Sequence, residues 1–286
     1  MKIQNVTVIG SGQMGIQIAA NAADHGYAVA AYDAYPAALE KARAWLGTYL
    51  EGRVSKGKMT GEKAGDIKSR ICFTSDMAAA CAHADLVIEA IIEKEDVKRT
   101  LFAQLDALCK PEVILTTNSS FIPSSCLVSA TNRPDKVANL HYFNPAMVME
   151  LVEVVQGPHT SDETVALLLD FARSVGKKPI WIRKEIDGFV ANRLIRALNK
   201  EAWFLVNNGF VTPQEVDVAA EKGLNHPMGP FRLMDMIGLD TAYLAAERAY
   251  AESGSEADRP CPLLKEKYEK GELGRKTGKG WYDYTT

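Results

Sequence analysis

Val6-Thr7-Val8-Ile9-Gly10-Ser11-Gly12-Gln13-Met14-Gly15 decides the fold. A β-branched run breaks into Gly-x-Gly-x-x-Gly, and a helix-like pattern follows from Gly15 to Asp24. In a dinucleotide-binding turn the three glycines divide the work. Gly10 makes the tight turn, Gly12 lets a pyrophosphate approach the backbone, and Gly15 lets the helix lie close on the strand. Free N–H groups at the helix start then face the phosphates. Gly26 is placed to end that helix, and a second apolar run, Ala28 to Tyr32, stops at Asp33. That acid stands 18 positions beyond Gly15, where a carboxylate accepts both hydroxyls of an adenosine ribose. The rival is a flavodoxin-like turn with no nucleotide. A strand before the glycines, a helix after them and the acid beyond favour the dinucleotide.

Size and composition bound the rest. The chain has 286 residues, 47% hydrophobic and 24% charged, with net charge −3. These values suit a globular protein of one large or two medium domains. The charge gives no global reason to bind nucleic acid or an anionic membrane. No apolar run approaches the roughly 20 residues needed to cross a bilayer. The N-terminal stretch carries one lysine and its apolar run breaks at Gly10, so it does not read as a signal peptide. Five cysteines, Cys72, Cys81, Cys109, Cys126 and Cys261, show no CxxC spacing. They point to a reduced, cytoplasmic setting. No residue cluster calls for a metal.

After Asp33 a helix is expected from about Pro36 to Val54, with Leu39, Ala42, Leu46, Tyr49 and Leu50 on one face. A basic corner, Arg53 to Lys58, follows, and Thr60 caps a second short helix. This arm is long for a crossover and is expected to project from the sheet. Its tip either binds a phosphate-bearing substrate tail or is a solvated turn. Strands then resume at Ile71–Phe73, 84–91 and Val113–Thr117, with an amphipathic helix through Glu93, Lys98, Leu101, Phe102 and Leu105. Asn118-Ser119-Ser120 follows a strand, where polar residues of an open α/β sheet line the ligand crevice; a helix cap is the rival for Ser119. Val137 to Leu140 leads into His141-Tyr142-Phe143-Asn144-Pro145, and Leu151 to Val155 is an apolar strand carrying Glu153. A carboxylate inside such a run needs a partner, and His141 at a nearby strand end suggests a base and its orienter. A last strand is expected from Pro179 to Arg183.

From Asp187 the character changes. Asp187 reads as the N-cap of one helix from Phe189 to Asn208, roughly 30 Å long, ended by Gly209. Thr212-Pro213-Gln214-Glu215 starts another, His226 to Pro230 is a rigid elbow, and Leu233 to Ala251 supplies further helices. The expected architecture is a Rossmann-type, mostly parallel α/β sheet with a projecting helical arm, followed by an all-helical C-terminal domain. Residues 1–184 form the dinucleotide-binding domain and 185–286 the helical domain. Phe189, Val190, Leu194, Ile195, Leu198, Trp203, Phe204 and Leu205 make the first helix apolar on several sides. That favours a homodimer through the helical domain.

These residues together resemble the 3-hydroxyacyl-CoA dehydrogenases, in their short single-function form. The likeness spans nearly the whole chain. It runs through the glycine turn, Asp33, Glu89-Ala90-Ile91-Ile92-Glu93, Asn118-Ser119-Ser120, His141 to Pro145 and Leu151 to Val155. It continues through Gly188-Phe189-Val190-Ala191-Asn192-Arg193, His226 to Pro230 and Gly274-Arg275-Lys276-Thr277-Gly278. The resemblance implies hydride transfer between NAD(H) and C3 of a 3-hydroxyacyl-CoA. In the short form this interconverts 3-hydroxybutyryl-CoA and acetoacetyl-CoA, within fatty acid or butyrate metabolism. By position, His141 is the acid/base, Glu153 orients it, and Ser120 and Asn192 hydrogen-bond substrate oxygens. Gly10, Gly12, Gln13, Met14, Gly15, Asp33, Glu93, Lys98, Ser120, Asn144 and Lys276 line the cofactor site, and Lys56 matches a CoA-contacting lysine. One departure is visible: Phe121 follows Ser120 where the family carries Thr-Ser-Ser or Thr-Ser-Thr after its asparagine. A ketone gaining negative charge as hydride arrives needs a proton donor near neutrality and neighbouring hydrogen-bond donors, so the chemistry suits the residues. Two alternatives remain: a gulonate-type dehydrogenase of a free hydroxy acid, and an NAD-binding protein without turnover.

Overall fold

In the computed structural model, which describes residues 2–285, the chain divides into two units, one ending at Val190 and one starting at Ala191. The first begins with β1 (Asn5–Ile9), α1 (Gln13–Asp24) and β2 (Ala28–Tyr32), then the arm, α2 (Pro36–Ser55) and α3 (Gly61–Arg70). It continues with β3 (Ile71–Thr74), α4 (Met77–Cys81), β4 (Leu86–Glu89), α5 (Glu95–Leu108) and β5 (Ile114–Thr117). β6 (Val137–Tyr142), β7 (Leu151–Val155), α6 (Asp162–Ser174) and β8 (Lys178–Ile182) complete it.

The eight strands form one sheet ordered β3-β2-β1-β4-β5-β6-β7-β8. Every neighbouring pair is parallel except β6 with β7. A parallel sheet must be covered on both faces, and strand alternation supplies two apolar surfaces. Val6 and Val8 join the core under α1, α2, α3 and α6. Ile9, Val87 and Leu115 pack on the opposite side with α4 and α5. The helix pair of the arm buries Ala42, Leu46, Leu50 and Ile67 in the first of these cores. The Thr60 side chain accepts from Lys63 N–H as the cap of α3, while the tip at Lys56 and Lys58 is exposed. Two helices of this unit, α4 and α6, were not expected from the sequence; the second is capped by Ser161, whose hydroxyl accepts from Thr164 N–H.

The second unit holds α7 (Ala191–Asn207), α8 (Pro213–Val218), α9 (Pro230–Ile237), α10 (Leu239–Ser253) and α11 (Pro262–Glu269). The capping box at Thr212 and Glu215 is present, with Pro213 at the first helical position. The first helix differs from expectation. It starts at Ala191, and residues 187–190 form a turn in which Gly188 and Phe189 have φ of 67° and 48°. Asp187 therefore stands four residues before the first helical residue and not directly next to it. Phe189 packs with Val155 and Ile182 in the first unit, so burial of one phenyl ring on the sheet outweighed the local capping signal. No helix is long and apolar enough to cross a membrane among the described residues.

Candidate active site

The carboxyl ends of β1, β4 and β5 meet where strand order reverses, the usual ligand crevice of such sheets. At the first turn Gly10 adopts φ +96°, and its N–H donates to Tyr32 O at 2.8 Å. A Cβ on Gly15 would sit 1.7 Å from the Gly10 carbonyl, whereas a Cβ on Gly12 would meet nothing within 4 Å. Gly15 thus serves helix–strand contact, and Gly12 keeps an open face. Asp33 is pinned in place: Ser11 N–H donates to Oδ2 at 2.8 Å and Tyr35 N–H to Oδ1 at 3.0 Å. Two acceptor sites per oxygen leave capacity for diol hydroxyls. A groove of about 790 Å³ opens beside it, walled by Asp33, Tyr35, Ile91, Val97 and Leu101. Its apolar wall and terminal carboxylate suit an adenosine. Gln13 and Met14 open α1, and Gln13 Nε2 donates to Asn144 Oδ1 at 3.4 Å, after the end of β6.

An ionic chain with a buried core, Lys98 and Glu89, and an exposed end, Glu93, lies at the ends of β4 and β5. Lys98, 1% exposed, places Nζ 2.5 Å from Glu89 Oε1 and 3.2 Å from Glu93 Oε2. Glu89 also accepts from Ile91 N–H at 2.7 Å and from the Thr117 hydroxyl at 2.6 Å. Glu93 Oε1 accepts from the Ser119 hydroxyl, whose oxygen accepts from the N–H groups of Phe121 and Ile122. Lys98 therefore sits behind the crevice wall, where its charge holds Glu93. Ser120 lies in the loop so organised. That loop also hangs on Asn139, which is fully buried, donates to Ser119 O and Ile122 O, and accepts from Ser124 N–H at 2.7 Å. Asn118 ties the strand ends together, its Oδ1 accepting from Tyr142 N–H at 2.8 Å. Glu89 and Asn139 escaped the sequence reading as site residues. Each is a polar residue inside an apolar run, the signal that singled out Glu153.

His141 and Glu153 are cross-strand partners in the antiparallel β6–β7 register. Their Nδ1 and Oε2 lie 2.7 Å apart, with Glu153 0% exposed. The imidazole centroid is 4.5 Å from that of Phe143 and 5.7 Å from that of Phe189. Glu153 Oε1 accepts from Val190 N–H at 3.0 Å.

The first unit matches the family model "3-hydroxyacyl-CoA dehydrogenase, NAD binding domain" over residues 5–186. The model "3-hydroxyacyl-CoA dehydrogenase, C-terminal domain" matches residues 188–284. The chain belongs to the 3-hydroxyacyl-CoA dehydrogenase family. It is an NAD-dependent dehydrogenase, and NAD(H) is its cofactor. A probable 3-hydroxybutyryl-CoA dehydrogenase of Bacillus subtilis is 40% identical, the match covering 99% of this chain and 98% of that one. A 3-hydroxyadipyl-CoA dehydrogenase of Escherichia coli is 39% identical over 99% of this chain and 60% of its own length. The crystal structure of (S)-3-hydroxybutyryl-CoA dehydrogenase from Ralstonia eutropha superposes with TM-score 0.91 at 36% identity, covering all of both chains.

The open face at Gly12, the pinned Asp33 and the apolar groove fit this dehydrogenase's cofactor. Of the remaining site residues named from sequence, Asn192 lies in the first turn of α7. Lys276 lies in a 3₁₀ turn of the second unit, with Nζ 2.6 Å from both Asp240 oxygens. Burial pushes the Asp240 carboxyl up, but the Lys276 ammonium and two backbone N–H groups outweigh it and hold it below the usual range. Lys56 closes α2, exposed and with no ion pair among the described residues.

Proposed function

We propose that this dehydrogenase interconverts a short 3-hydroxyacyl-CoA, 3-hydroxybutyryl-CoA, and its 3-oxo form, acetoacetyl-CoA, with His141 and Glu153 as its acid–base pair. The 2.7 Å contact between His141 Nδ1 and Glu153 Oε2 carries the reading. A carboxylate only accepts, so it keeps a proton on Nδ1 and leaves Nε2 to exchange one with the substrate's 3-oxygen. NAD(H) supplies or accepts the hydride at C3. In the reducing direction His141 delivers the proton as the oxygen gains charge, and Glu153 stabilises the imidazolium that precedes it. Ser120 and Asn192 are assigned hydrogen bonds to the substrate oxygens near that carbon. Asp33 accepts the ribose hydroxyls, the turn from Gly10 to Gly15 takes the pyrophosphate, and Glu93, Asn144 and Lys276 serve the rest of the cofactor site. Lys98 serves it through Glu93, and Lys56 meets the CoA phosphates.

The names of the Bacillus subtilis and Ralstonia eutropha proteins support a four-carbon acyl group, while the Escherichia coli relative is named for 3-hydroxyadipyl-CoA. The same proposal extends to a cytoplasmic homodimer through the helical unit, supported by exposed Leu194, Phe204 and Phe210; sedimentation at micromolar concentration tests it. NADH oxidation decides the central reading. Acetoacetyl-CoA should saturate at a far higher kcat/KM than free acetoacetate, and NADH should outperform NADPH. Equal efficiency with acetoacetate would instead support the free-acid enzyme.

A further inference from the structure

Two non-glycine residues have positive φ among those described, Asn225 at 59° and Phe189 at 48°. Asparagine enters this region readily; a bulky phenylalanine does so at a cost that its surroundings must offset. Phe189 is 2% exposed and packs with Val155 and Ile182, and its own N–H donates to Ile186 O at 3.1 Å. The left-handed step aims the next amide: Val190 N–H reaches Glu153 Oε1 at 3.0 Å, while Oε2 of the same carboxylate faces His141 Nδ1 at 2.7 Å. A carboxylate held at both oxygens has a defined plane, and that plane sets the direction in which Nδ1 must point. The Phe189 ring also lies against the imidazole, tilted by 58°. Backbone and ring of one residue therefore converge on one pair.

We propose that Phe189 is a positioning residue of the His141–Glu153 pair. Its left-handed backbone delivers the Val190 N–H to Glu153, and its ring restricts rotation of the imidazole. This rests on the reading of that pair as the proton-transfer machinery. Ordering a reacting group to within about 0.5 Å needs such support from neighbours that never touch substrate.

Phe189→Gly keeps the left-handed turn and deletes the ring. Phe189→Leu keeps apolar bulk and guards against a folding failure. Each is made in the native and the Glu153→Gln backgrounds, and kcat, KM for acetoacetyl-CoA and NADH affinity by fluorescence are measured. In the native background kcat should fall about tenfold for glycine, the size of an aromatic contact, and less for leucine, with NADH affinity unchanged. In the Glu153→Gln background the same changes should lower kcat by less than about twofold, because residues acting through one another do not add. Equal losses in both backgrounds, or no loss in the native one, would overturn the proposal alone. An intact kcat in Glu153→Gln by itself would remove the acid–base reading, and this proposal with it.

Discussion

The two units bury carboxylates equally deeply and use them differently. In the sheet unit, Glu89 and Glu153 are 0% exposed, and each faces an ionisable side chain, Lys98 or His141. In the helical unit, Asp217 and Asp235 are 1% exposed and each accepts from two backbone N–H groups and a tyrosine hydroxyl, with Arg232 also 4.0 Å from Asp217. Asp217 accepts from the N–H groups of Phe231 and Arg232 at the start of α9 and from the Tyr282 hydroxyl. Asp235 accepts from Trp281 and Tyr282 N–H and from the Tyr284 hydroxyl. Glycines give both room: a Cβ on Gly229 would lie 2.3 Å from Asp217 Oδ1, and one on Gly280 2.1 Å from Asp235 Oδ1. A buried charge must be compensated in either case. Compensation by fixed amides stitches segments together; compensation by a titratable partner at a strand end leaves a group able to exchange protons.

The largest effect is expected at the pair proposed to move the proton. Glu153→Gln and His141→Ala should each lower kcat about 10²–10⁴-fold with NADH binding intact. The double variant should be little worse than the worse single. Losses that multiply would mean that Glu153 serves its strand and not the histidine.

Asp235→Ala tests the architectural end. It strands two amides and a hydroxyl, each worth about 1–3 kcal/mol when buried unpaired, so unfolding free energy should fall by about 3 kcal/mol or more. Activity per folded molecule should stay within about threefold. A collapse of kcat at unchanged Tm would erase the distinction between the two units.

The sheet unit has an architectural pair of its own. Arg133 Nε donates to Asp106 Oδ1 at 2.7 Å, and its other nitrogens reach carbonyls at the end of α5, Cys109 O among them. Burial pushes the Asp106 carboxyl up, but hydrogen bonds from Arg133 and Asn132 outweigh it and the net effect is a lowered value. A carboxyl lowered on folding stabilises the protein above its unfolded value, about 3.9, and that contribution fades as pH falls through the folded one. Asp106→Asn should therefore lose stability at neutral pH and show a flatter acid limb below about pH 4, with kcat unchanged. An acid limb as steep as that of the native chain would exclude the pair as its source.

The smallest effect is expected at the exposed tip of the arm. Lys56→Ala should raise KM for acetoacetyl-CoA a few-fold at low salt, leave kcat alone, and lose its effect as screening grows. An unchanged KM at low ionic strength would make the basic corner a solvated turn.

Much of this was legible because the signals are local. The glycine spacing, Asp33, the span Leu151–Val155 and the Thr212 capping box each depend on backbone sterics or on hydrogen bonds a few residues apart. Glu153 betrayed itself as a charge in an apolar strand and led to His141. The same clue stood at Glu89, and its partner was legible too, since Lys98 shares a helical face with Leu101, Phe102 and Leu105. Asn139 carried the same clue, a polar residue in an apolar run, but what it holds, a loop 15–20 residues upstream, has no local signature.

By itself, then, the sequence determined the succession of the eight strands, the glycine turn and the pairing of a strand-borne carboxylate with a nearby histidine. The start of α7 was decided only in three dimensions. Asp187 is a sound local cap, and nothing in a phenylalanine announces a positive φ. Burial of the Phe189 ring beside Val155 and Ile182, and the Val190 amide's bond to Glu153, outweigh that preference. Val155 and Glu153 lie more than thirty residues away in the chain, beyond the reach of any capping or periodicity rule.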